Sequence, residues 1–236
     1  MKTKILFFSC LIFYSFCYCQ VPSSERSEAV LQKQRKSLEK TLKEKGFALG
    51  DPIFIRIFKA EKELEVWMQK KGSVKYTHYK TYPICTYGSK GLGPKLKEGD
   101  NMAPEGFYYV PKSKMNPNSS YHLAFNLGYP NKYDEAHHRT GSALMVHGNC
   151  VSIGCYAMTD AGIEEIYTLA QKSLENNQKY FKVHCFPFRI TDKNLSEHKD
   201  SKWVGFWQNL QEGYKYFEKN GRPPEVSVKD KKYVFE

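Results

Sequence analysis

Residues 144–158 hold the side chains most suited to covalent chemistry. The run Leu144-Met145-Val146-His147-Gly148 has strand character and ends on a histidine beside a glycine, and Gly154-Cys155 follows eight residues after the histidine. A cysteine is a strong nucleophile only as thiolate, so a catalytic one needs a base or a cation nearby. His147 is the nearest candidate base. Gly154 leaves the approach to the sulfur open, and the backbone N–H groups of Gly154 and Cys155 can hold a developing oxyanion. These are the parts of acyl transfer through a thioester.

Two other readings of the same residues stand beside that one. Cys150 and Cys155, five apart, can close a small disulfide loop. His147, Cys150 and Cys155 can also be zinc ligands, although His184-Cys185 lies far along the chain and offers no paired fourth ligand. Residue chemistry alone leaves nucleophile, disulfide and metal open.

The elements that would position this segment follow from periodicity. Residues 24–45 read as an N-terminal helix capped by Ser23 or Ser24 and stopped at Gly46. Ile53, Ile55 and Ile57 alternate with Phe54, Arg56 and Phe58, and a second alternating run over 63–68 follows the turn 59–62. A third strand over 75–85 completes a meander. The glycine-rich stretch 88–101 reads as a loop. Further strands are expected over 107–110, 121–127, 143–147 and 183–190. Thr159 or Asp160 caps a helix carrying Ile163, Ile166, Leu169, Ala170 and Leu174. Trp203, Phe206, Trp207, Leu210, Tyr214 and Phe217 form an aromatic stripe at helical spacing, which predicts core packing. Residues 226–235 read as an edge strand. The chain shows no internal repeat and no interdomain linker.

The 236 residues carry 36 Lys and Arg against 25 Asp and Glu, a net charge of +11. That length supports a buried core, and the charge favours an anionic partner without selecting one. Lys2, Lys4 and the apolar stretch 5–18, ending in Cys17-Tyr18-Cys19, predict a secretory signal peptide cleaved before Gln20. Fourteen residues are short of the roughly 20 needed to span a bilayer. Removing residues 1–19 leaves 34 − 25 = +9 and four of the seven cysteines, namely Cys85, Cys150, Cys155 and Cys185. An oxidising, extracytoplasmic location is therefore expected, periplasmic or in the cell envelope, with at most peripheral membrane contact. Cys85 and Cys185 are a further candidate pair. No phosphate-cradling loop or nucleic-acid motif is present, so nucleic acid is not an expected partner.

Several blocks in one order resemble a known family. His147-Gly148 followed by Ser152-Ile153-Gly154-Cys155 is similar to the active-site signature of the L,D-transpeptidase catalytic domain, the YkuD family, and of its YafK-like branch. The blocks Glu98-Gly99-Asp100, Pro104-Glu105-Gly106-Phe107-Tyr108, Tyr121 to Asn126, Gly128 to Asn131, Phe186 to Arg189 and Phe206-Trp207 extend the resemblance over about residues 50–220. It implies an α+β fold: a β-rich sandwich or barrel over 50–236, preceded by the helical segment 20–49 and bearing flanking helices. It also implies a peptidoglycan enzyme without cofactor. Cys155 would attack the carbonyl after the L-centre of diaminopimelate in a stem peptide, with His147 as base and then acid. Transfer to an amine gives a crosslink or attaches a wall protein, and transfer to water makes the enzyme a hydrolase. A silent wall-binding module, with Cys150 and Cys155 oxidised to each other, is the non-enzymatic rival.

Ile153 and Ala157 stand where many members have histidine and arginine, and the gap from His147 to Cys155 is shorter than usual. Roles of those two family residues do not carry over. Arg189 and Arg139 are the alternative carboxylate-binding candidates, because guanidinium pairs bidentately with carboxylate. Tyr121 and His122 are candidates to line the substrate site, with wall packing and a satisfied structural histidine as the plainer roles. Ser152 is expected to shape the turn by hydrogen bonding, and His137-His138 to form a solvated loop or a lid.

Overall fold

The computed structural model describes residues 20–88 and 91–236; the expected leader lies outside them. Helix α1 (Glu25–Glu44) starts at a reciprocal cap, in which the Ser24 hydroxyl accepts from the Ser27 N–H and Ser27 returns the bond, satisfying donors a first turn otherwise leaves unpaired. The meander is β1 (Ile53–Phe58), β2 (Glu63–Gln69) and β3 (Tyr76–Thr86), antiparallel throughout. Strands β4 (Gly106–Pro111), β5 (Met115–Asn116), β6 (Ala124–Asn126), β7 (Met145–His147), β8 (Tyr156–Met158) and β9 (Tyr180–Phe186) complete one nine-stranded sheet. Its order is β4-β9-β1-β2-β3-β8-β7-β6-β5. The two end strands, β4 and β5, are joined by residues 112–114 alone, so the sheet curls round into a nearly closed sandwich. With its helices this is the expected α+β architecture.

Strand β1 is buried on both faces, which explains why all six of its residues are large. Ile53, Ile55 and Ile57 join a core with Leu38 and Leu42 of α1 and with Ile163, Ile166 and Leu169 of α3 (Asp160–Glu175). Phe58 belongs to a second core under α5 (Val204–Asn220), with Phe186, Trp207, Leu210 and Tyr214. The aromatic stripe of α5 is thus packing, as its spacing predicts. Arg56 lies in the same row as Phe54 and Phe58 and is nearly fully buried. It is held by Glu65 at 2.9 Å and caged by Trp67 and Phe217, each ring centroid 4.7 Å away.

Several boundaries differ from the sequence reading. Strand β9 begins at Tyr180 and stops at Phe186, because Pro187 has no N–H for the ladder, so Arg189 lies in irregular chain after the bend at Pro187 and Phe188. Residues 226–235 form not one edge strand but a hairpin, β10 (Val226–Lys229) and β11 (Lys232–Phe235). Asp230 and Lys231 both take left-handed backbone conformations at its turn, as a two-residue hairpin loop requires. Short helices α2 (Lys132–Ala136) and α4 (Asp192–Glu197), and the three-residue β8, have too few residues to show a period. No helix among the described residues is long and apolar enough to cross a membrane.

Candidate active site

Strands β7 and β8 are parallel neighbours, with Val146 opposite Tyr156 and His147 opposite Ala157. Side chains two apart on a strand share a face. Carrying the register one step back sets Cys155 opposite Met145, on the same face as His147. The contacts agree: the Met145 N–H donates to Cys155 Sγ at 3.4 Å, and the thiol donates to the Ala143 carbonyl at 3.6 Å. Both Cys155 and His147 line a cleft of about 380 Å³ that is open to solvent.

His147 is only 3% exposed. Its Nδ1 lies 2.7 Å from the Gly148 carbonyl oxygen; a carbonyl can only accept, so Nδ1 carries the proton and Nε2 keeps the lone pair. Burial lowers the imidazole pKa against the opposing pull of that hydrogen bond. Burial raises the Cys155 thiol, with the Met145 N–H and the Lys95 charge acting the other way. At rest the cleft therefore holds a neutral thiol and a neutral imidazole.

Gly148 and Gly154 are required by close approach. A Cβ on Gly148 would sit 2.5 Å from Asp160 Oδ1 and 3.1 Å from Ile163. Gly154 has φ +146°, and a Cβ there would press on the Met102 carbonyl at 3.2 Å. Ser152 shapes the turn as expected: its hydroxyl donates to the Cys155 carbonyl at 2.7 Å and accepts from the Gly154 N–H at 2.9 Å. That bond corrects one expectation, because the Gly154 amide is already engaged and only the Cys155 amide of the two stays a candidate for an oxyanion.

Tyr121 lines the cleft and its ring lies 4.8 Å from that of His147. His122 does not line it; Nε2 pairs with Glu164 of α3 at 2.9 Å, a structural role. Arg139 and Arg189 are also elsewhere. Arg139 is buried on Asp134 at 2.8 Å, between Tyr133 and Phe206. Arg189 bonds Glu63 and Glu65 and lies over Phe58. Neither borders the cleft, so the expectation that one of them holds a substrate carboxylate there is corrected by their internal ion pairs. His137 caps α2 and meets the Lys231 carbonyl at 2.9 Å, which removes the lid reading.

Among the described residues, the cation that borders the cleft is Lys95, which sequence reading passed over inside a glycine-rich loop. Its ammonium donates to the Lys97 carbonyl at 2.9 Å and to Asp100 at 2.8 Å. Asp100 also accepts from the Leu96, Lys97 and Met102 N–H groups, and these donors hold its pKa down despite burial. Glu98 and Asn101 of the same loop, and the exposed Val151 and Ile153, complete the rim. The loop is anchored by Lys59, fully buried, whose three donors reach Gly93, Ala103 and Glu105. Glu105 in turn accepts from Trp207 at 2.8 Å.

The cysteines form neither of the two pairs named from the sequence. Cys85 is bonded to Cys150, across 65 residues, while Cys155 and Cys185 are free. This overturns both the Cys150–Cys155 loop and the Cys85–Cys185 pair. It also removes the zinc reading, since the Cys150 sulfur has no lone thiolate to give a metal.

Residues 52–185 match the YkuD family, the L,D-transpeptidase catalytic domain. YafK of Escherichia coli strain K12, provisionally named an L,D-transpeptidase, is 46% identical over 186 residues, covering 79% of this chain and 74% of YafK. Among solved structures, the helical cell shape determining protein Pgp2 of Campylobacter jejuni aligns with a TM-score of 0.44 at 17% identity, covering 82% of this chain and 80% of its own. Bd1075 of Bdellovibrio bacteriovorus aligns at 0.40 and 19%, covering 72% and 59%.

Proposed function

The chain belongs to the YkuD family of L,D-transpeptidase catalytic domains, and from that premise we propose that it is an extracytoplasmic cysteine acyltransferase acting on peptidoglycan stem peptides. The observation that carries the reading is the free Cys155 thiol and the neutral His147 imidazole on one face of β7 and β8, in one open cleft.

His147 Nε2 takes the thiol proton as Sγ attacks the carbonyl carbon that follows the L-centre of diaminopimelate. The Cys155 N–H offers a hydrogen bond to the resulting oxyanion. As the C–N bond breaks, the imidazolium returns its proton to the departing amine and leaves a thioester on Cys155. An acceptor amine then attacks the thioester, with His147 again taking the proton. Water in place of the amine makes the same enzyme a hydrolase, releasing a peptide or a wall-attached protein. The short-lived imidazolium suits a buried histidine, which is most stable uncharged at rest. Lys95, in the cleft with Cys155, supplies positive charge close to the thiolate as it forms.

Incubating purified muropeptides with the wild type, Cys155→Ala and His147→Ala, followed by mass spectrometry, tests this. Wild type is expected to give new crosslinks, Cys155→Ala none, and His147→Ala a rate lower by about 10²–10⁴-fold. Shortened peptides without crosslinks would assign the hydrolase. Identical profiles from wild type and Cys155→Ala would remove the enzymatic reading.

A further inference from the structure

The segment that joins base to nucleophile, residues 148–155, connects two adjacent parallel strands, β7 and β8. Parallel neighbours usually need a crossover of a dozen or more residues; here there are eight. The chain must therefore reverse sharply just after His147, and Asn149 and Cys150 both do so with positive φ, +65° and +45°. Such conformations persist in non-glycine residues only when the surroundings enforce them. Three restraints act here: the Asn149 N–H donates to Asp160 at 2.7 Å, the Cys150 N–H donates to the Met158 carbonyl at 3.1 Å, and Cys150 is bonded to Cys85. Beyond Cys150, Val151 and Ile153 are 52% and 83% exposed, and the turn around them is held locally by the Ser152 hydroxyl, which bonds Gly154 and Cys155 of the same segment.

The other end of the disulfide is placed with equal economy. Cys85 lies on β3, the antiparallel neighbour of β8, at the point where their register shifts between Ile84 and Thr86. A bulge at such a point re-aims a side chain. The bond therefore runs from the connection between His147 and Cys155 to the strand that flanks the residues following Cys155. It ties β3 to the connection between β7 and β8, next to the cleft-lining residues Val151 to Cys155.

We propose that Cys85 and Cys150 are positioning residues, whose disulfide holds the 148–155 connection so that His147 and Cys155 act as a pair. Activity then depends on the oxidation state of this bond. A dithiol that reduces it gives two hydrogens to the two sulfurs and closes as its own disulfide, leaving the connection free to relax. The proposal rests on the reading of Cys155 and His147 as nucleophile and base. A displacement of about 1 Å at a reacting centre costs on the order of 10²-fold in rate, so loss of the clamp reads in kcat before it reads in binding.

The test compares oxidised wild type, dithiol-treated wild type and the Cys85→Ser/Cys150→Ser variant in muropeptide turnover and in thermal melting. The expected result is a retained cooperative melt, a kcat lower by about tenfold or more and a KM within about threefold. Reoxidation restores the wild type only. A kcat within about twofold of the oxidised protein overturns the proposal. A serine variant that does not fold leaves the decision to the dithiol-treated wild type, and loss of its melt as well makes the bond a staple of the fold and overturns the proposal.

A second readout needs no turnover. Alkylation of Cys155 by iodoacetamide, followed across pH on the Cys155 peptide by mass spectrometry, is compared with and without His147→Ala. In the oxidised protein the replacement should slow alkylation several-fold near neutral pH, and in the disulfide-free variant by less than about twofold. Coupling that depends on the disulfide without muropeptide turnover would sink the stem-peptide reading and keep the positioning role. Turnover with coupling unchanged by the disulfide would do the reverse.

Discussion

At the scale of residues, His147 and Cys155 rest uncharged in the cleft. Burial lowers the His147 pKa and raises that of Cys155, so each shift disfavours a standing thiolate and imidazolium. The sign of the pH dependence follows. On the proposed mechanism His147 acts as base only when neutral, and activity should be lost as pH falls through its pKa, which burial holds below the ordinary value of about 6.5. The acid limb of kcat/KM should therefore have its midpoint below about pH 6.5 and be absent in His147→Ala. A midpoint at or above that value would contradict the buried neutral histidine. Gly154→Ala is a second residue-scale prediction. The new methyl meets the Met102 carbonyl, and the backbone stays at φ +146°. Denaturant unfolding should show a loss of about 1–3 kcal/mol, with Cys155 turnover reduced as the turn shifts.

At the scale of elements, the cleft is held from two sides. Helix α3 begins at Thr159, whose hydroxyl accepts from the Gly162 N–H, and its Asp160 side chain holds the Asn149 amide beyond His147. The loop carrying Lys95 hangs on Lys59, Glu105 and Trp207, an interior ion pair in which every ammonium proton has an acceptor. Breaking a buried pair from one side leaves an uncompensated charge. Lys59→Ala should therefore lose about 3–5 kcal/mol in denaturant melts, and the loop should become open to proteolysis between residues 91 and 105. A loss under about 1 kcal/mol would mean that the pair is not the anchor.

At the scale of the whole molecule, one sheet serves two cores, with α1 and α3 against one side and α5 with the β10–β11 hairpin against the other. The division fits the alternation in β1, where isoleucines face one core and Phe58 the other. Net charge is +11, or +9 with residues 1–19 removed. Charge of this size favours association with anionic polymers and is screened by salt. Co-sedimentation with purified sacculi should fall several-fold between 50 and 500 mM salt if the charge draws the protein to the wall; salt-independent binding would assign the attraction to the cleft alone. These salt levels bracket Debye lengths from above 10 Å to about 4 Å.

Much of this was legible along the chain. The alternation in β1 and β2, the stripe of α5 and the cap residues Ser24 and Thr159 are local patterns, and local patterns set local structure. That His147 and Cys155 share one cleft was legible because they lie only eight positions apart and their chemistry is complementary. Partners distant in sequence were not. Arg139 and Arg189 looked like free guanidinium groups until the fold supplied Asp134, Glu63 and Glu65. Lys95 looked like a loop lysine until the 91–105 segment folded over the cleft. The four cysteines after residue 19 offered candidate pairs but not the one formed, because a disulfide depends on Cα separation, here 5.1 Å between residues 65 apart, and sequence spacing does not encode it. The sequence by itself determined the chemistry available and the elements that carry it. Tertiary structure alone decided which charges are spent in internal ion pairs, which cation lines the cleft with Cys155 and which cysteines stay free, since each depends on contacts between segments that only packing brings together.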